Sequence, residues 1–237
     1  MRKINKTRWT ILVIFILLLL GGLVLGPSIN DYYVKSKLDP SVELQASLKN
    51  MTKASSYKYS LNSMLNVNSR KEVISEVKGE KNLGNTHIKG EMVNTSIDIY
   101  FIDHTIYNYD AFSEKWLVID SNSNNSEELL ISELNPLSNF RFKQLNLVEK
   151  KGFEKIDGVE CMLVACHPSV DSELLESLWK NIEYQIWLDY KGDFIRKASL
   201  KAINKKVPST SLNIEVEFYE LNKNIKIEKP DVNSNKN

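Results

Sequence analysis

Histidine, cysteine and proline are scarce in this 237-residue chain, which has three, two and six of them. Two cysteines cannot build the dense disulfide framework of a small secreted scaffold. None of His87, His104 and His167 stands at a ligand spacing from another His, Cys or acid on the same element. His104 follows Asp103, but neighbours on a strand point to opposite faces, so the two cannot chelate together. All three are read as surface or turn histidines. Cys161 and Cys166 are five residues apart, which puts them on opposite faces of one strand with about 16 Å of extended chain between them. That spacing argues against an internal disulfide unless the strand bends. They are read as two small buried thiols, a reactive or intermolecular cysteine being the alternative.

Catalytic signatures are missing as well. The chain has no GxSxG elbow, phosphate loop, HExxH helix or dinucleotide fingerprint. Glu127, Glu128, Asp171, Glu173 and Glu176 fall on expected helix starts and solvated faces, where acids are ordinary. The expectation is a protein that is not an enzyme, with no metal and no cofactor.

Net charge is nearly absent, with 31 Lys plus Arg against 30 Asp plus Glu. The balance conceals two unlike segments. Arg2, Lys3, Lys6 and Arg8 are the charges of residues 1–30, so the remainder holds 27 bases against 30 acids, a net of −3. A mildly acidic domain argues against nucleic acid as a partner.

The longest apolar run is TILVIFILLLLGGLVLG, residues 10–26, without a charge, preceded by Trp9 and followed by Pro27. Seventeen residues at about 1.5 Å each reach roughly 25 Å, the short end of what crosses a bilayer core. The preceding bases belong in the cytoplasm by the positive-inside rule, which places everything after Pro27 outside it. The reading is a single-pass signal anchor in the cell membrane, after a basic segment of residues 1–9. The alternative is a cleaved signal peptide and a secreted protein. The first cysteine after the run is Cys161, so a lipid-bearing cysteine is excluded.

Beyond a polar stalk over residues 27–38, Asp39-Pro40 reads as a helix start, with Leu44, Leu48 and Met51 at helical spacing to about Lys53. The period then changes to two. Tyr57, Tyr59, Leu61, Leu65 and Val67 alternate with polar residues, predicting a strand wet on one face. Further strands are expected at Val73–Lys81, His87–Val93, Ser96–Ile102, Thr105–Tyr109 and Lys115–Ile119. A helix follows from Ser126, with Leu129, Leu130 and Leu134 as its stripe and Pro136 at its end. Asp157-Gly158 joins Phe153–Ile156 to Val159–Cys166 as a hairpin. A third helix is expected in PSVDSELLESLW with Leu174, Leu175, Leu178 and Trp179 apolar. Strands at Tyr184–Asp189, Phe194–Ala202 and Leu212–Tyr219 close the domain, and residues 229–237 are expected as a polar, disordered tail. The many strand aromatics fill a core or line an apolar cavity.

Four stretches resemble the LolA/LolB/LppX group of envelope lipoprotein-carrier domains: SYKYSLNSMLNV after the first helix, YNYDAFSEKWLVI, FEKIDGVECMLVAC and YQIWLDYKGDFIRKASL. The most specific piece is Trp187-Leu188-Asp189, then Gly192 and Arg196-Lys197. The resemblance spans residues 39–228. It implies an α+β fold: a strongly curved, unclosed antiparallel half-barrel of about 10–11 strands, with three helices on its concave face. By the same resemblance Leu61, Leu65, Ile97, Phe101, Trp116, Leu178, Trp179 and Leu188 would line the interior, around a lipid-like ligand. An envelope-protein partner is the alternative, as in GerS-like spore-germination relatives that bind a cell-wall amidase. The chain departs from the group in lacking a lipid-bearing cysteine, which argues against free shuttling between two membranes.

Overall fold

The computed structural model describes residues 29–120, 136, 140, 142–145, 147–170 and 173–232. The apolar run of residues 10–26 and the helix expected from Ser126 through Leu134 lie outside the described residues. Among the described residues no helix is long and apolar enough to cross a membrane.

Residues 29–37, expected as a polar stalk, are helical (α1). The next helix, α2 (Pro40–Lys53), starts where the sequence places it. The Asp39 carboxylate accepts the backbone N–H groups of Ser41 and Val42 at 2.9 and 3.0 Å, and Pro40 needs no partner in the first turn. Leu44, Ser47 and Met51 form the buried stripe of α2.

Eleven strands build one antiparallel sheet. They are β1 (Ser56–Val67), β2 (Arg70–Asn82), β3 (Asn85–Met92), β4 (Thr95–Ile102), β5 (Thr105–Asp110), β6 (Lys115–Asp120), β8 (Glu149–Ile156), β9 (Val159–Cys166), β11 (Trp179–Asp189), β12 (Phe194–Asn204) and β13 (Thr210–Tyr219). Their order is β6-β5-β4-β3-β2-β1-β13-β12-β11-β9-β8, with β6 and β8 as edges, so the sheet is unclosed. Two short strands, β7 (Phe142–Gln144) and β10 (Ser169–Val170), pair separately. The first and last long strands meet at the centre, where Lys58 faces Tyr219 and Val67 faces Thr210.

Two-residue turns make the meander. Asn68-Ser69, Val93-Asn94 and Asp103-His104 all take positive φ, between 48 and 70°. So does Asp157-Gly158, at 48 and 80°, the geometry whose twist suits a tight hairpin. His104 is thus a turn residue, as expected.

The third helix differs from its expectation. α3 spans only Glu173–Leu178, and Trp179 opens β11, five residues before the expected strand start at Tyr184. Trp179 and Lys180 pair with Asn204 and Ile203 of β12, and a bulge follows before Glu183. Ladder bonds and an aromatic side chain outweigh one more helical turn there.

Register explains the core. Ile97, Gly90, Val77, Leu61, Val216, Ala198, Ile186 and Val164 stand side by side across eight strands, forming one row of the inner face. All but Ile97 and Gly90 are buried. α2 lies over this face at β8, β11 and β12.

Cys161 and Cys166 are free and fully buried. Burial pushes the Cys166 thiol up to about 12, and burial with the nearby Asp189 carboxylate pushes that of Cys161 up to about 11. Both stay protonated in the folded chain at neutral pH. Native protein is expected to react with a thiol-specific disulfide reagent at least 100-fold more slowly than urea-unfolded protein, because the thiolate is the nucleophile. Equal rates would contradict this burial. The same shifts make stability fall as pH rises from about 9, where unfolded thiols ionise, towards 12.

Candidate functional site: the inner sheet face and the far-end cleft

The sheet has two ends of different character. The near end carries the turns at 83–84, 103–104, 157–158 and 190–193. At the far end stand those at 68–69, 93–94, 111–114 and 205–209.

Of the eight residues expected to line an interior, Leu61 and Leu188 are buried inner-face residues of the core cluster. Leu65, Ile97 and Phe101 share the inner face but keep partial exposure where they pack against that core. Ile97 and Phe101 flank the buried Ile99 on β4, and Phe101 pairs with Ile106 of β5. Inner-face residues that the motif reading missed are Val77, Ile88, Ile99 and Ile106. Their period-two spacing was the available signal.

Trp116 corrects the expectation. It pairs with Tyr109, and this register sets it on the outer face, opposite to Ile97 and Phe101. There it stands 5.6 Å from Tyr100 and 5.2 Å from Tyr109, ring to ring. Tyr100 stacks on His87 at 3.8 Å, and His87 lies between Asp98 (2.9 Å) and Glu80 (3.3 Å). Burial works against ionisation of Asp98, but hydrogen bonds from His87 and Lys89 outweigh it and hold its pKa below the usual value. His87 is therefore a bracketed side chain of an outer ladder. Among the described residues no group of three His, Cys, Asp or Glu could hold a metal.

Leu178 and Trp179 sit apart from the other six, at the far end. Leu178 is 42% exposed at the end of α3. Trp179 lines a cleft of about 580 Å³ with His167, Glu176, Lys180, Ile182 and Lys205. Glu176 is engaged by Lys143 at 3.3 Å, and its carbonyl accepts from Lys205. The cleft thus presents an indole beside a cationic rim. Its polar members come from three separate segments, so no local motif announced them.

The Trp187 to Lys197 stretch is structural. Asp189 accepts the N–H groups of Lys191 and Gly192 and both Nε and Nη2 of Arg196, closing the 190–193 turn. Trp187 Nε1 donates to Glu154 at 2.7 Å, and Lys197 lies over the indole while bridging Glu215 and Glu217.

No family model matches this chain, and no curated protein does. Among solved structures it is similar to the Mycobacterium tuberculosis lipoprotein LppX, at 15% identity and a TM-score of 0.49, over 81% of this chain and 100% of that one. It is similar to LprF from Mycobacterium bovis at 12% identity and a TM-score of 0.49, over 81% of this chain and 98% of that one. A LolA-superfamily protein from Nitrosomonas europaea aligns at 6% identity and a TM-score of 0.33, covering 80% and 96%. The group named by the sequence resemblance, LolA/LolB/LppX, is also the one to which these names belong, each at a TM-score below 0.5.

Proposed function

We propose that this chain is a membrane-anchored, extracytoplasmic, non-enzymatic binding protein that holds a lipid-like apolar ligand against the inner face of its sheet. One observation carries the reading: the apolar inner row runs across eight strands, whereas α2 packs on β8, β11 and β12. Leu65, Ile97 and Phe101 keep partial exposure at the other side of that face. An apolar ligand gains by covering such surface, at roughly 25 cal/mol per Å². The anchor in this reading is the uncharged run of residues 10–26.

The test is native mass spectrometry of the full chain, extracted from its own membrane in mild detergent, with organic extraction of the released molecules. A bound apolar molecule is expected, and Phe101→Ser should lower its occupancy about tenfold, the worth of roughly 1.4 kcal/mol of lost apolar contact. A chain that is empty in every preparation would sink the ligand reading. A stoichiometric envelope enzyme in place of lipid would favour the regulatory alternative.

A further inference from the structure

α1 is held to the sheet by charge. Lys35 Nζ is 2.5 Å from Asp31 and 2.6 Å from Glu160 at the start of β9, and Glu160 accepts the Tyr190 hydroxyl at 3.0 Å. Asp31 also faces Lys191 in the 190–193 turn at 3.7 Å. Further along, Lys150 Nζ donates to the carbonyls of Lys35 and Leu38 at 3.0 and 3.3 Å. The start of α1 therefore points to the near end of the sheet, and its end points up β8.

At 100° per residue, Asp31 and Lys35 lie on one face of the helix, the docked one, with Leu38 just beyond its end. Ile29, Tyr32, Tyr33 and Ser36 form the opposite face, and the first three are 65, 75 and 61% exposed. The apolar run of residues 10–26 ends at Gly26, three residues before Ile29. Three residues of chain reach at most about 11 Å in any conformation, which starts Ile29 to Tyr33 within reach of the headgroup layer. Tyrosine is the residue type that fits there, with an apolar ring and a polar tip.

We infer that Ile29, Tyr32 and Tyr33 sit in the headgroup layer of the bilayer that holds the anchor, and that the docking of α1 turns the near end of the sheet to that bilayer and the far-end cleft away. This rests on the anchor of the proposed function. With 12 residues, β1 is ~40 Å long, so the cleft opens well clear of the membrane surface.

The test uses the full chain in phosphatidylethanolamine–phosphatidylglycerol vesicles, with Tyr32→Cys and Phe112→Cys variants carrying an environment-sensitive fluorophore. Phe112 is 99% exposed at the tip of the β5–β6 turn and serves as the far-end control. The buried Cys161 and Cys166 stay unlabelled, as the wild-type chain treated alike would show. Aqueous iodide should quench the label at position 32 several-fold less than the one at 112, and headgroup nitroxide lipids should quench it alone. Equal iodide quenching at both positions, in chains that withstand an alkaline wash, would overturn the placement but leave the anchor standing. A chain stripped by that wash would overturn the anchor, and the placement with it.

Discussion

Gly79→Ala is expected to destabilise the domain by about 3 kcal/mol, at the upper end of what overpacking a core costs. Gly79 pairs with Tyr59 across the β1–β2 ladder, and the Tyr59 ring lies over it. A Cβ at position 79 would stand 2.1 Å from Tyr59 Cζ and 2.3 Å from its Oη. The ring has little room to swing away, because Tyr59 is 1% exposed and Tyr57 stands 6.2 Å from it. Urea melts of the two proteins should differ in midpoint but not in slope. Tyr59→Leu removes the atoms in collision, so the double variant should fall short of the sum of the single costs by roughly 1–2 kcal/mol. Additive losses would show that the glycine is needed for some other reason.

Asp189→Ala should cost about 3 kcal/mol. Its carboxylate is 6% exposed and takes four hydrogen bonds: from the backbone of Lys191 and Gly192 at 3.3 and 3.0 Å, and from Arg196 Nε and Nη2 at 3.2 and 2.9 Å. Removing it strands a guanidinium that is three-quarters buried, together with two turn N–H groups. Asp189→Asn keeps an acceptor for the turn and should lose about half as much. Arg196→Met in the Asp189→Ala background should recover part of the loss, since the stranded charge goes with it. Thermal and urea melts measure all three, and an Asp189→Ala protein as stable as wild type would refute the assignment. Gly192 belongs to the same device, because a Cβ there would sit 2.8 Å from Asp189 Oδ2.

The most specific sequence resemblance, Trp187-Leu188-Asp189 with Gly192 and Arg196-Lys197, is in physical terms a turn lock and an outer-face ladder around one inner-face core residue, Leu188. Its polar side chains close a turn and tie neighbouring strands together. Local causes of this kind made the elements legible, whereas the face that each strand buries was only partly so. Strand alternation in Tyr57–Val67 and Leu212–Tyr219 put the right residues on the inner face. Alternation is relative, however. It says which residues of one strand share a face, and the parity between strands waits on register. Trp116 was misplaced for this reason: Trp116 and Val118 share a face, but only the pairing of Tyr109 with Trp116 and of Ile106 with Ile119 shows that it is the outer one. Leu178 and Trp179 read as one apolar helix stripe, yet the β12 ladder claims Trp179.

The sequence alone determined the elements whose causes are local. These are the Asp39-Pro40 helix start, the Asp157-Gly158 hairpin, the alternating strands, the uncharged run of residues 10–26 and the spacing that keeps two thiols apart. Each depends on a few neighbours within one or two turns of chain. Tertiary structure decided what needs partners far away in sequence. It paired β1 with β13, closed the Asp31–Lys35–Glu160–Tyr190 contact across more than a hundred residues, gathered the cleft from three segments and turned Trp116 outward. Hydrogen-bond register and ion pairing between distant segments are set by the sheet assembling as a whole, and local periodicity carries no record of them.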